Sequence, residues 1–303
     1  MPEVCEIIYT AQYLFTKLRG RFLSEINVLS GRYTHEKLYG SELINKKKKL
    51  KIVNIDNKGK FMWFELINTQ NNKHLYILNT FGLTGSWEFT RHPTSRIQFV
   101  IENKYNTKKY YLYFNDARNF GTLKITSNIN DLNDKLNKLE RDFLKTEFTN
   151  SDFINWVNKF KYKNTEIIKI LMSQDKPKSL GCGLGNYLAP EILYKAHISP
   201  FRKLDSLSID DLNKLAHSIR YILRLCYENN KIGYMELFKN FVDKHKKGII
   251  DGKFPIYHKN TKIPNKEFTF NVYRQKIDPL GNPVIISKII DDRSTYWVPN
   301  IQK

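Results

Sequence analysis

The sequence predicts an α+β chain: one N-terminal helix, a β-sandwich, and a helical half that ends in a short β-rich tail. Apolar residues first recur at helical intervals, at Ile7, Ile8, Ala11, Leu14, Phe15 and Leu18. From Phe22 to Ile125 the pattern changes to short β-like runs separated by Gly, Asn and Lys turns. From Asn128 onward the period is helical again.

Each element follows from that pattern. The opening stripe places a helix over residues 2–19. Strands are expected at 25–29, 51–55, 61–66, 75–79, 86–89, 97–101, 109–114 and 121–125, and many short strands at such spacing suggest a sandwich. The run Lys46 to Lys49 reads as a solvated loop or edge. Residues 131–150 form a bridge, after which Ser151-Asp152-Phe153 opens a helix and another starts at Thr165. Residues 188–196 are helical, and Ser208-Ile209-Asp210-Asp211 resembles a capping box before a long helix carrying Leu212, Leu215, Ile219, Ile222 and Leu223 on one face. Residues 238–268, with Gly248, Gly252, Pro255 and Pro264, read as an irregular connection. The tail has β-like runs at 270–273 and 284–297. The expected organisation is therefore a sandwich domain over 1–130, a linker over 131–150, a helical domain over 151–268 and a hairpin over 269–303.

Composition narrows the function. At 303 residues the chain can bury real cores, and a hydrophobic share of 41% sets it apart from disordered sequences. Lys+Arg number 50 against 30 Asp+Glu, a formal charge of +20, which points to a polyanionic partner, most simply nucleic acid. An apolar run of transmembrane length and a secretory signal are both missing from the pattern, so no membrane partner is expected. Cys5, Cys182 and Cys226 are odd in number and far apart, and read as free thiols in a reducing, intracellular compartment; nucleus, cytoplasm and viral particle are not distinguished.

Met1-Pro2-Glu3 offers chemistry. Removal of Met1 would expose the secondary amine of Pro2, and an α-amino group titrates near about 8, so part of it is a nucleophile at neutral pH. Glu3 places a carboxyl beside that amine as a proton donor. The same residues also suit an ordinary helix start. Gly181-Cys182-Gly183-Leu184-Gly185-Asn186 lies directly before a helix, where backbone N–H groups and the helix dipole favour an anion; it is not a nucleotide P-loop, because no Lys-Ser/Thr follows. Leu83, Arg118 and Phe120 stand on Gly-flanked turns, which suits filling the gap left by an extruded base, although leucine and phenylalanine are more often core residues.

Pro2-Glu3, Gly59-Lys60-Phe61, Phe81 to Ser86, Asp116 to Gly121, Gly183 to Ala189 and Asp292 to Trp297 occur in that order. Together they resemble the formamidopyrimidine-DNA glycosylase/endonuclease VIII family over nearly the whole chain. The resemblance implies a catalytic sandwich domain and a helix–two-turns–helix DNA-binding domain. It implies a bifunctional glycosylase and abasic-site lyase for oxidised bases, working through a Schiff base (iminium) on Pro2, with Glu3 supplying a proton and β- and δ-eliminations cutting the strand. It makes Lys60, Asn186 and Arg293 phosphate contacts, with Lys60 and Arg293 assisting catalysis. Leu83, Arg118 and Phe120 become the void-filling set, although most bacterial members carry Met where Leu83 stands, and Glu6 a residue that orders the active site. Cys5 replaces a second proline found in most members.

Many members end in a zinc finger built on two Cys-x-x-Cys pairs. Here Ile277, Leu280, Val298 and Ile301 hold those positions, so no metal is expected there, and packing of these aliphatics with Tyr296 and Trp297 should hold the hairpin. That pattern resembles the zincless-finger, endonuclease VIII-like branch. The implied partner is damaged double-stranded DNA, with single-stranded DNA as a further one, bound by a monomer without a cofactor. A catalytically inert DNA-binding protein, or an RNA-binding one, is the alternative on the same scaffold.

Overall fold

The computed structural model describes residues 2–44, 49–103, 108–229, 255–290 and 293–303. Its contacts divide into two compact units: Pro2 with Glu6–Asn137 in the first, and Glu3–Cys5, 138–229 and Pro255–Lys303 in the second. Lys46 to Lys48, residues 238–254 and Asp292, each part of an expectation above, lie outside the described residues.

The first unit is built on helix α1 (Val4–Leu18), whose first two residues group with the second unit, and eight strands. These are β1 (Phe22–Val28), β2 (Leu50–Lys58), β3 (Phe61–Asn68), β4 (His74–Thr80), β5 (Ser86–Glu88), β6 (Ser95–Glu102), β7 (Lys109–Asn115) and β8 (Thr122–Thr126). All eight expected runs are strands, with ends moved by a few residues. They form one antiparallel sheet in the order β5-β7-β6-β1-β2-β3-β4-β8. The register explains why it is two-layered. β1 meets β6 along its length, from Phe22↔Glu102 to Val28↔Ile97, but meets β2 only at Phe22↔Lys51 and Leu23↔Leu50. The sheet turns over at this short seam, and its halves face each other. Phe64 of β3 packs edge-on to Trp87 of β5 at 5.3 Å and to Phe99 of β6 at 5.7 Å, and the Trp87 indole N–H donates to Asn79 Oδ1 of β4 at 3.0 Å. Alternation along β3 follows: Phe61, Met62, Phe64, Leu66 and Asn68 are buried, the intervening residues half-buried. Ile7, Ala11, Leu14 and Leu18 of α1 join the same core.

The second unit holds α3 (Asn150–Lys159), α4 (Ile167–Met172), α5 (Leu188–Ala196) and α6 (Ile209–Asn229), and a hairpin of β9 (Ile285–Ile290) and β10 (Arg293–Trp297). Between the β8 strand and these comes α2 (Ile129–Lys138), in the stretch read as a bridge. Beyond it Phe143, Leu144 and Phe148 are buried. The α3 cap is Thr149, two residues before the expected opening: its hydroxyl accepts from the Asp152 N–H while Asp152 accepts from the Thr149 N–H, a reciprocal box. Ser208 and Asp211 do the same for α6. One expectation fails: residues 270–273 are not a strand, because a side chain rather than a neighbouring strand takes their N–H groups, as described below.

His258 is buried in this unit, with Nε2 2.8 Å from the Phe143 carbonyl and Nδ1 3.7 Å from the Glu147 carboxylate. Burial pulls its pKa below the ordinary value; the Phe143 carbonyl and Glu147 act the other way, and Arg220 and Arg224 reinforce the drop. The unfolded chain therefore binds a proton that the native state excludes. Stability should be intact above about pH 6.5 and decline as the pH falls below it. Chemical denaturation across that range checks this, and His258→Leu should flatten the response. In the first unit Trp87→Ala should cost about 3–5 kcal/mol in the same experiment, because both layers lose their shared ring.

Candidate active site

Glu3 to Cys5 are part of the second unit. Glu3 is fully buried; its Oε1 accepts the Tyr187 N–H at 2.9 Å and its Oε2 the Leu188 N–H at 3.3 Å. Those amides open α5, where unpaired N–H groups and the helix dipole both favour a carboxylate. The Val4 N–H donates to the Gly183 carbonyl at 3.1 Å. Gly183 has φ +114, and a Cβ there would stand 2.8 Å from the Val4 Cβ, so only glycine lets the two segments meet. Gln174 braces the loop from the other side: its Oε1 accepts the Gly183 N–H at 2.8 Å and its Nε2 donates to the Leu184 carbonyl at 2.9 Å. Asn186, the expected phosphate contact, is half-exposed at the end of this braced loop. Gln174 was not singled out in the sequence, since a polar residue nine positions upstream carries no local signal.

Aromatic rings link this anchor to the hairpin. The Tyr187 ring lies 5.4 Å from Phe270 and 6.0 Å from Tyr273, and Tyr273 lies 5.2 Å from Tyr296 of β10. Burial pushes the Tyr273 phenol up, and the Glu3 and Tyr296 charges add to it, against Arg274. Arg293 opens β10 and is exposed, three residues before Tyr296.

The segment before the hairpin is tied to α5 by Glu191, a fully buried carboxylate that sequence reading missed. It accepts the N–H groups of Asn271, Val272 and Tyr273 at 2.9–3.0 Å and the Asn271 side-chain amide at 2.9 Å. Burial pushes its carboxyl upward, opposed by those donors. A Glu set among Leu188, Ala189, Ile192 and Leu193, all buried, was the available signal.

The aliphatic packing expected at the hairpin turn is not what holds it. Ile277 and Leu280 are 61% and 76% exposed; of the four positions only Val298 is fully buried. Asp278 does the work through polar bonds. It accepts from the Leu280 N–H at 2.9 Å, the Asn282 N–H at 2.7 Å and the Tyr194 hydroxyl at 3.0 Å. Burial, then that bond to Asp278, pushes the Tyr194 phenol up to about 12. Tyr296 and Trp297 contribute through other partners, Tyr296 against Tyr273 and Trp297 edge-on to Phe201 at 5.4 Å and bonded to Ser287 at 3.0 Å. Among the described residues no three His, Cys, Asp or Glu side chains could hold a metal. The three cysteines are free and buried.

The first unit carries the other expected residues. Pro2 and Glu6 are buried, and Glu6 lies in the first turn of α1. Lys60 is half-exposed in the two-residue turn between β2 and β3, after Gly59 at φ +54. Its neighbour Lys58 points elsewhere, donating to the Leu136 carbonyl at 2.8 Å near the end of α2.

Leu83, Arg118 and Phe120 are brought together on two adjoining turns. A Cβ on Gly82, at φ +60, would stand 2.7 Å from the Gly121 nitrogen, so the turns touch backbone to backbone. Asp116, buried, staples them: one oxygen accepts the Thr84 hydroxyl and the other the Gly121 N–H at 2.6 Å, while Thr84 accepts the Arg118 N–H at 3.0 Å. Phe120 is 49% exposed with the Arg118 guanidinium 5.1 Å from its ring, and Leu83 is half-exposed. None of the three is a core residue.

With that geometry in view, the relatives can be placed. The formamidopyrimidine-DNA glycosylase N-terminal domain matches residues 1–123, and the C-terminal domain of the same name residues 259–303. The formamidopyrimidine-DNA glycosylase of Prochlorococcus marinus (strain MIT 9301) is 27% identical over 323 residues, spanning 100% of both chains. Among solved structures, the MutM (Fpg) protein of Thermus thermophilus superposes with a TM-score of 0.71 at 23% identity, over 99% of this chain and 98% of that one. Lactococcus lactis Fpg in complex with DNA containing an abasic site gives 0.72 at 20% identity, over 99% of each chain. These structures share the fold: an N-terminal helix, an antiparallel two-layer sheet, and a helical part with a β-hairpin. The chain belongs to the formamidopyrimidine-DNA glycosylase/endonuclease VIII family.

A chelator should leave the melting of this hairpin unchanged, whereas Asp278→Ala should cost about 2–3 kcal/mol by leaving its donors unpaired. Calorimetry with and without chelator checks both; chelator-sensitive melting would contradict the polar account.

Proposed function

We propose that the protein is a bifunctional DNA glycosylase and abasic-site lyase acting on oxidised bases in duplex DNA. What supports the reading above all is the Glu3 carboxylate, oriented by the Tyr187 and Leu188 amides and joined by one peptide bond to Pro2. A carboxyl fixed in this way is suited to passing a proton at a defined point. The pair of turns that presents Phe120 and Arg118 adds support, since base extrusion needs a wedge and a partner for the orphaned base.

In this mechanism Met1 is removed and the Pro2 nitrogen attacks C1′ of the damaged nucleotide. The C1′–base bond breaks, its electron pair leaves with the base, and the proton shed by the Pro2 nitrogen ends on that base. Glu3 delivers a proton to O4′ as the sugar ring opens, leaving an iminium between Pro2 and C1′. Loss of a C2′ proton then expels the 3′ phosphate, a second elimination expels the 5′ phosphate, and hydrolysis frees the amine. Glu6 orders this site. Lys60, Arg293 and Asn186 hold phosphates, and Leu83, Arg118 and Phe120 fill the void. Aliphatic residues at the four finger positions favour the zincless, endonuclease VIII-like branch. Such a protein works inside the cell, as its formal charge and free thiols suit. No helix among the described residues is long and apolar enough to cross a membrane.

Borohydride reduction in the presence of an abasic-site duplex tests the chemistry. Protein shown by intact mass to start at Pro2 should be trapped as a covalent adduct, and N-terminal acetylation should abolish it. Glu3→Gln should slow base release by about 10²–10⁴-fold. Tight binding to the duplex without any adduct would instead mark the inert DNA-binding alternative, and preference for structured RNA the RNA-binding one.

A further inference from the structure

We infer that the surface where α1 ends and β1 crosses between the sheet layers is a second DNA contact, one that takes the phosphate backbone of a duplex segment other than the one at Lys60 and Arg118. The choice of DNA as the polyanion rests on the proposed function; the existence of the site rests on the following geometry of the first unit.

Cations from four elements converge at this seam. Lys17 and Arg19 close α1, and Arg21 leads into β1. Phe22 pairs with both Lys51 of β2 and Glu102 of β6, and Glu102 pairs with Lys109 of β7, so these lie side by side across the sheet. Lys51 also reaches the α1–β1 turn: its Cε is 4.0 Å from where a Gly20 Cβ would stand. Against these, and Lys108, stand two carboxylates: Glu102, in register with Lys109, and Glu25, 3.6 Å from the Lys109 ammonium.

Aromatic rings hold the cations in place. The Arg21 guanidinium lies 4.2 Å from the Tyr110 ring and the Lys108 ammonium 5.6 Å from the same ring. Arg19 lies 5.4 Å from Phe15 and Lys17 5.8 Å from Tyr13. Like charges gathered at one seam repel, and rings that pre-orient them lower the entropy lost when a row of phosphates is gripped. A regular polyanion is the partner that uses such an arrangement.

The position lies apart from the candidate catalytic residues. Lys51 and Lys58 are at opposite ends of β2, about 23 Å apart at the usual rise, and Lys60 lies beyond Lys58. On the other layer β7 runs from Lys109 at the seam to Asn115, about 20 Å away, before Arg118 is reached. α1 itself puts about 22 Å between Pro2 and Arg19. In each layer the expected DNA-contacting residues thus lie at the strand ends away from the seam. A protein holding two segments could pass from one to the other while searching for lesions.

The test substitutes exposed side chains only: Arg19→Glu, Lys108→Glu and Lys109→Glu together, with a second variant carrying Gln at all three. Binding to an undamaged duplex of about 40 base pairs is titrated over a salt series, alongside excision from a lesion duplex of about 12 base pairs kept below one per protein, so that no second segment is on offer. Both variants should bind the long duplex at least about tenfold more weakly, with a salt slope shallower by roughly 2–3, and should lose the second duplex bound per protein at saturation. Excision from the short duplex should stay within about twofold of the unmodified protein. Unchanged affinity and slope would overturn the proposal. So would a parallel loss of short-duplex excision, or phosphatidylserine vesicles displacing the long duplex from this surface. If the unmodified protein excises nothing, the glycosylase reading fails while the binding comparison still decides for or against the second contact.

Discussion

The arrangement depends on a carboxylate meeting the start of a helix. Glu3 gives up all its water and in return receives two amides of α5, whose own turn would otherwise leave them without acceptors. That exchange fixes the backbone one residue after Pro2. It also explains the glycine at 183, since Val4 must lie against the preceding loop for Glu3 to reach Tyr187 and Leu188. Gln174 then has a clear purpose, because a loop that anchors the chain start must itself be immobile.

Buried carboxylates recur as the device that shapes irregular backbone. Asp116 staples two turns, Glu191 gathers three successive amides ahead of the hairpin, and Asp278 closes the hairpin turn. Each replaces backbone hydrogen bonds that a strand or helix would have supplied. Asp278 is of particular interest because it sits between Ile277 and Leu280, two of the aliphatic positions expected to pack. The apolar residues at 277 and 280 do not hold the turn by packing, being largely exposed; the acidic residue between them organises it with Tyr194 and Asn282.

Much of the fold was legible because its period is strong. Every strand of the sheet lies where alternation and turn residues put it, and α6 begins at the Ser208 cap with the expected apolar face. Legibility failed where one side chain decided the backbone. Phe270 to Tyr273 look like a strand in sequence, with aromatic and β-branched residues, yet the Asn271, Val272 and Tyr273 amides belong to Glu191, eighty residues earlier in the chain. Among the candidate site residues, Phe120 and Leu83 could have been core by composition, and only their exposure on stapled turns separates them from Phe114 and Phe81, which are buried beside them.

The sequence by itself determined the order of elements, the basic character and the placement of a proline and a glutamate at the start, because periodicity, charge and residue type are local properties. The tertiary structure alone decided that the sheet turns over where β1 and β2 share only two residue pairs, that Glu3 faces the amides of α5, and that polar bonds rather than aliphatic packing close the hairpin. Those outcomes depend on which buried acceptors lie within about 3 Å of which donors, and such proximity is set by the folded chain rather than by spacing along it.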